Sequence, residues 1–180
     1  MTYADTRLGD FIDLVGEATP APGGGAVAAV TASLAAALVA MAGPEHADRA
    51  TALGRRASGL ADEDAAAYSA VIAARRSGEP IRDALAHATQ VPLEIAATAA
   101  AIAKLAADVF RNGRRALRGD AATALLLAEG ATRSAAYLVE LNVDAGGGRR
   151  ELVDRARAHI ATAVAARELA GGRMPVPADH

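Results

Sequence analysis

The sequence predicts an all-α protein, folded as a single-domain bundle of about five to seven helices. Three observations carry that expectation. The chain is 52% hydrophobic but only 3% aromatic, and alanine supplies most of the apolar residues. Alanine is the strongest helix former, and its small side chain lets helices approach closely. Glycine and proline cluster at intervals and leave long uninterrupted stretches between them, the punctuation of helices and turns. At 180 residues the chain holds one core and is too short for two ordinary ones. The domain is expected to span residues 1–172, with residues 173–180 as a disordered tail.

The elements follow in order. Leu8, Phe11, Ile12 and Val15 fall at i, i+3, i+4 and i+7, the stripe of a short amphipathic helix, with Asp5 or Thr6 available to cap it. Thr19 to Gly25 then interrupts helicity with two prolines and three glycines. An apolar, nearly uncharged helix runs from about Gly25 to Met41 and ends at Gly43-Pro44. It is shorter than the ~20 residues a membrane span needs and consists mostly of alanine, so it reads as a buried central helix. A long helix is expected from about Glu45 to Arg76, with Leu53, Leu60, Tyr68 and Ile72 on one face, followed by a turn at Ser77-Gly78-Glu79-Pro80. Ile81 to Arg111 is helical, with a kink or break expected at Val91-Pro92, and Asn112-Gly113 ends it. A helix from Gly119 to Asn142, a linker at Gly146-Gly147-Gly148 and a last helix from Glu151 to Leu169 complete the domain. There is no internal repeat and no heptad series long enough for a coiled coil.

Composition excludes several functions. A net charge of −2 does not mark a general nucleic-acid binder. There is no cysteine, hence no disulfide and no thiolate chemistry. His46, His87, His159 and His180 show no metal-ligand spacing, and no GxSxG is present. The first residues lack the basic and apolar parts of a signal peptide, so a cytoplasmic location is expected. Lys104 is the only lysine among many arginines, a bias that suggests a GC-rich bacterial genome.

Three segments could carry chemistry. Pro20-Ala21-Pro22-Gly23-Gly24-Gly25-Ala26 places glycines just ahead of a helix. Bare N–H groups at a positive helix end suit a carboxylate, a phosphate or a developing negative charge; alternatively, the glycines only permit a tight connection. The loop is neither a Walker A sequence nor GxGxxG. In Asp62-Glu63-Asp64 the side chains point about 100° apart on a helix, so at most one or two face any pocket. Asp64 lies closest to the apolar face, four residues from both Leu60 and Tyr68. A carboxylate so placed can have a raised pKa and act as acid or base. Arg111, Arg114, Arg115 and Arg118 either form a solvated connection at a helix C-terminus or clamp an anionic ligand tail. Asp120 reads as a cap of the following helix.

Together these segments resemble the cyclodeaminase/cyclohydrolase family of folate enzymes. Its Pro-x-Pro-Gly-Gly-Gly-Ser loop opening an Ala-rich helix is matched by Pro20-Ala21-Pro22-Gly23-Gly24-Gly25-Ala26, and its Asp-x-Asp-x-x-x-aromatic helix by Asp62 to Tyr68. Its Val-Pro-Leu step is Val91-Pro92-Leu93, and its Ser-Asp step and late Asn-Val-x-Ile-Asn segment correspond to Gly119-Asp120 and Leu138 to Asn142. The likeness extends from Leu8 to about Leu169. Departures are Ala26 for serine, Arg114 for asparagine, Gly119 for serine, Leu138 for asparagine and Arg76 for lysine.

The resemblance implies an all-helical homodimer with a folate site between helices near the glycine loop. It implies Asp64 as the catalytic carboxylate, and Pro22, Gly23, Gly24, Gly25, Tyr68, Arg76, Arg114, Asp120 and Asn142 as substrate-binding residues. The activity implied is a cyclodeaminase, which is an ammonia-lyase, or a cyclohydrolase. No metal and no cofactor beyond the tetrahydrofolate substrate is expected, and neither nucleic acid nor membrane is an expected partner. The alternative is a non-catalytic helical dimer that keeps the pocket but binds another anionic ligand or a protein partner.

Overall fold

The computed structural model describes residues 2–17 and 19–171, and the expected disordered tail at 173–180 lies outside them. Within the described residues there are six α-helices and no strand: α1 (Leu8–Gly16), α2 (Gly24–Ala42), α3 (Ala47–Ser77), α4 (Arg82–Asn112), α5 (Arg118–Asp144) and α6 (Arg150–Leu169). Short 3-10 turns at Tyr3–Asp5, Pro44–His46 and Arg115–Leu117 lead into α1, α3 and α5.

Alanine sets how closely these helices pack. α2 lies centrally against α3, α4 and α5, and α4 packs in turn on α3, α5 and α6. Ala28, Ala29, Ala32, Ala35 and Ala36 of α2 are all buried. A Cβ on Gly54 of α3 would stand 3.2 Å from the Ala36 methyl, so α2 and α3 meet with almost no side chain between them. The core divides lengthwise into two clusters. One holds Leu60, Val71, Ile95 and Val139, and the other Val39, Ile102, Val109 and Leu125. Among the described residues, α2 alone is long and apolar enough to cross a membrane by length and composition, and half of it is buried against its neighbours.

The structure corrects several sequence expectations. The Leu8-Phe11-Ile12-Val15 stripe does not face the core. Phe11 is buried edge-on against Tyr3, with ring centroids 5.5 Å apart, while Leu8, Ile12 and Val15 are 66%, 59% and 37% exposed. α1 barely touches the bundle, so among the described residues little covers its apolar face. Neither Asp5 nor Thr6 caps α1, whose N-cap is Arg7. Asp5 instead accepts hydrogen bonds from the backbone N–H and hydroxyl of Thr2. Likewise Asp120 is not a cap; α5 begins two residues earlier, placing Asp120 in its first turn.

A further correction concerns α4. The helix is not broken at Pro92 but runs on through it. Proline has no N–H, so the carbonyl four residues earlier, that of Ala88, loses its helical donor. The Asn142 side chain of α5 supplies a replacement, its Nδ2 donating to the Ala88 oxygen at 2.8 Å. Buried carbonyls are paired as a rule, and this bond meets that demand from outside the helix.

The α5–α6 connection is a packed turn rather than a loose linker. Gly146 has φ 97°, a left-handed conformation that favours glycine. A Cβ on Gly147 would lie 2.5 Å from Thr89 Oγ1 and 2.8 Å from both the Asn142 carbonyl oxygen and Leu85 Cγ. Gly147→Ala is therefore expected to destabilise the protein by about 1–3 kcal/mol, as overpacking does. Gly59→Ala, on α3 with nothing within 4 Å of the added methyl, is expected to stabilise by about 0.5–1 kcal/mol. Urea unfolding of the two variants checks both signs.

Candidate functional site

The three carboxylates of α3 have three separate fates. Asp62 Oδ1 accepts the Tyr3 backbone N–H at 2.9 Å, which ties the N-terminal turn to α3. Glu63 is paired with Arg56, which also engages Glu94 of α4. Only Asp64 turns towards the glycine loop, where its Oδ2 accepts the Ala26 backbone N–H at 3.1 Å. That N–H belongs to the first turn of α2, so the carboxylate sits at the positive end of the helix.

Gly25 makes this approach possible. A Cβ there would overlap the Asp64 carboxylate, far inside contact distance of its Oδ1 and Cγ. The other glycines of the loop are under no such constraint: a Cβ on Gly24 would be 3.9 Å from Leu138 Cδ1, and one on Gly23 3.9 Å from the Pro20 oxygen. Burial pushes the Asp64 carboxyl above the ordinary carboxylate range, and the Ala26 N–H opposes that rise only in part. Desolvation disfavours the charged form, whereas a hydrogen bond to it favours it. The result is a carboxylate with increased affinity for a proton, positioned by one backbone donor.

Asp64 opens onto a cavity of about 280 Å³ lined by Pro20, Ala21, Gly23, Gly24, Gly25, Tyr68, Ala88, Pro92, Leu138 and Asn142. This is at the small end of ligand pockets, which run roughly 300–1,000 Å³. Of the residues singled out from sequence, the structure brings together Asp64, Gly23, Gly24, Gly25, Tyr68 and Asn142; Pro22 is buried within the same loop. Tyr68 follows Asp64 by one helical turn and remains 44% exposed at the rim. Arg76, Arg114 and Asp120 do not line the cavity. Asp120 and Asn142 sit at opposite ends of α5, separated along the axis by about 33 Å at 1.5 Å per residue, so no single small cavity in one protomer includes both. Sequence reasoning missed Ala88 and Pro92 as site residues. The available signal was the proline itself, since a proline inside a helix always frees the carbonyl four positions before it. Among the described residues no cluster of histidine, aspartate and glutamate could hold a metal ion.

Fold and cavity define a class: an all-helical bundle with a largely desolvated carboxylate held at a helix N-terminus beside a small, half-apolar cleft. The sequence matches the family model described as formiminotransferase-cyclodeaminase over residues 7–45 and 44–160. The chain belongs to that family. It is 29% identical over 159 residues to methenyltetrahydrofolate cyclohydrolase of Methylorubrum extorquens, covering 73% of this chain and 76% of the relative. Its fold is similar to the crystal structure of formiminotetrahydrofolate cyclodeaminase from Thermotoga maritima, with a TM-score of 0.87 and 23% identity over 94% of this chain and 96% of the other.

The two glycines flanking the helix start separate steric from electrostatic roles. Gly25→Ala is expected to rotate the Asp64 carboxylate away and break its bond to the Ala26 N–H. Ligand binding and turnover should then fall at least tenfold with little change in fold, because Asp64 is a movable side chain rather than backbone. Gly24→Ala should bind like the parent. Titration of 5-formyltetrahydrofolate into the two variants compares them.

Proposed function

We propose that the chain is a folate one-carbon enzyme, a cyclodeaminase or cyclohydrolase, whose pterin-side chemistry takes place in the Asp64 cavity. One observation carries the assignment of roles: a single carboxylate, desolvated and oriented by the Ala26 N–H, faces the cleft that the glycine loop, Tyr68 and Asn142 enclose. Family membership supplies the substrate class. The binding-only alternative gains no support from the comparisons, which match folate-converting relatives.

The chemistry asks little of the protein beyond position and one proton carrier. In the cyclodeaminase direction, N10 of formimidoyltetrahydrofolate attacks the formimino carbon on N5, whose imino nitrogen carries a proton as the amidinium, and the C=N electrons move to that nitrogen and leave it a neutral amine. Asp64 takes the N10 proton as the new C–N bond forms. It then returns a proton to the amine, which leaves as ammonia while the methenyl bridge closes. In the cyclohydrolase direction, water attacks the bridge carbon of the methenyl cation, one of its protons passes to Asp64 and on to the ring nitrogen that departs, and the remaining hydroxyl proton is released to solvent as the formyl C=O forms. A carboxylate with raised pKa suits both steps, since it takes a proton more readily than an ordinary carboxylate and, as a carboxylic acid, can still give it back. Holding N10 against the carbon supplies much of the remaining acceleration. No metal or redox group is needed for either sequence.

Asp64→Asn tests the assignment. Following the methenyl absorbance with formimino- and methenyltetrahydrofolate, turnover should fall by about 10²–10⁴-fold, the usual contribution of a positioned acid–base group. Stability should move the other way. The folded carboxyl has a raised pKa, so its contribution favours folding below the unfolded value of 3.8 and is lost as pH rises through the folded pKa. Replacing it with a neutral amide should leave the protein at least as stable as the parent at pH 7, and that advantage should vanish as pH drops towards the unfolded carboxyl range. Parental turnover in this variant would move the proton transfer elsewhere.

We further propose that the protein is a cytoplasmic homodimer. Val27, Thr31, Leu34, Leu38 and Met41 alternate four and three residues apart along α2, with Val27, Leu34 and Met41 exposed, and this is the seam spacing of paired helices. The uncovered face of α1 adds Leu8 and Ile12. Light scattering at micromolar concentration should give twice the 18.1 kDa chain mass, and Leu34→Glu should shift it to the monomer. A monomeric parent overturns this assignment.

A further inference from the structure

The bond that repairs α4 also decides how Asn142 meets a ligand. Ala88, Pro92 and Asn142 all line the same cavity. A carbonyl oxygen can only accept, so the group facing Ala88 must be the amide nitrogen of Asn142, as the 2.8 Å contact has it. The orientation of an asparagine amide is ordinarily open to a flip; here it is set by chemistry, because Pro92 has removed the competing backbone donor. The other end of the amide, Oδ1, receives no hydrogen bond among the described residues and is not among their buried unpaired atoms. The backbone beneath it is held as well, since the Gly147 N–H donates to the Asn142 carbonyl at 2.8 Å and Gly147 fits there without room for a side chain.

We propose that Pro92 is a positioning residue: by freeing the Ala88 carbonyl it locks the Asn142 amide with its oxygen as a fixed acceptor, and Asn142 thereby selects for an N–H donor on the ligand. This rests on the folate reading above, and the donor class it names is the N–H-bearing edge of a reduced pterin. Asp64 and Asn142 then act as two acceptors contributed by separate helices, one for the proton in transit and one for recognition. The apolar Leu138 and Pro92 lie in the same lining and offer no competing polar group.

A double-variant cycle separates recognition from helix repair. In Pro92→Ala the backbone N–H restored at position 92 can bond the Ala88 carbonyl, so the Asn142 amide is released. KM for methenyltetrahydrofolate should rise about fivefold, with a smaller change in kcat, because ground-state orientation is lost while Asp64 is untouched. Asn142→Ala should raise KM about tenfold, the scale of one lost hydrogen bond to ligand. The Pro92→Ala/Asn142→Ala double variant is decisive. If Asn142 only satisfies the Ala88 carbonyl, restoring the helical donor makes it dispensable and the double variant regains the parental KM and urea midpoint, which overturns the proposal. If Asn142 reads the ligand, the urea midpoint recovers but KM stays about tenfold high. A parental KM in Pro92→Ala alone overturns the positioning role. The same series titrated with 5-formyltetrahydrofolate distinguishes the two layers of the argument: a parent protein that fails to bind it defeats the folate reading and this inference together, whereas a parent that binds it alongside a rescued double variant defeats this inference alone.

Discussion

The structure depends on how closely α2 can approach α3. Alanine and glycine line that seam from Gly54 against Ala36 to Gly25 against Asp64. The first contact is purely steric and settles the interhelical distance. At the second, the same short distance presses a carboxylate against the opening turn of a helix. A larger residue at Gly54 would press on the Ala36 methyl and force the helices apart, whereas one at Gly25 would displace the Asp64 side chain from the Ala26 N–H. Packing and chemistry therefore share one constraint, and the small side chains that look like a featureless hydrophobic composition are what bring an ionisable group within reach of a helix end.

Two polar arrangements within this alanine-rich frame are solved differently. Asp64 is held by one donor and is otherwise desolvated, which leaves its charge only partly compensated and its proton affinity raised. Asn142 donates to an orphaned carbonyl and leaves its acceptor end free. In each case a backbone feature, a helix N-terminus or a proline inside a helix, provides the polar group that orients the side chain. Orientation by backbone is less easily lost than orientation by another side chain, because the backbone has no rotamers to exchange.

Besides exposed apolar side chains on α3, α5 and α6, apolar surface lies on α1 and on one face of α2. Both elements adjoin the glycine loop, α1 through the residues before it and α2 through the residues after it. A partner that covered these faces would therefore also brace the loop from both sides. Arg111, Arg114, Arg115, Arg118 and Asp120 lie at the far end of α5 from Asn142, so any part they play in ligand binding involves a region outside the Asp64 cavity.

Much of this was legible in the residues. Alanine content and glycine-proline punctuation specify the helical class and most boundaries, since helix propensity and chain breaking are local properties. Thus α2 begins at Gly24, within one residue of the expected start, and α6 ends at Leu169 as expected. The spacing of Leu60, Asp64 and Tyr68 marked Asp64 as the carboxylate nearest the apolar face, because that inference needs only the helical repeat. What the tertiary structure alone decided is which partners those residues meet. The stripe of α1 was visible as a pattern, but a pattern does not say whether anything lies opposite it. Pro92 was visible as a breaker, but not the Asn142 side chain, far later in the chain, that lets the helix continue. Local sequence sets what each segment can form; only the packing of α2, α4 and α5 determines which unsatisfied groups are brought within hydrogen-bonding distance of one another.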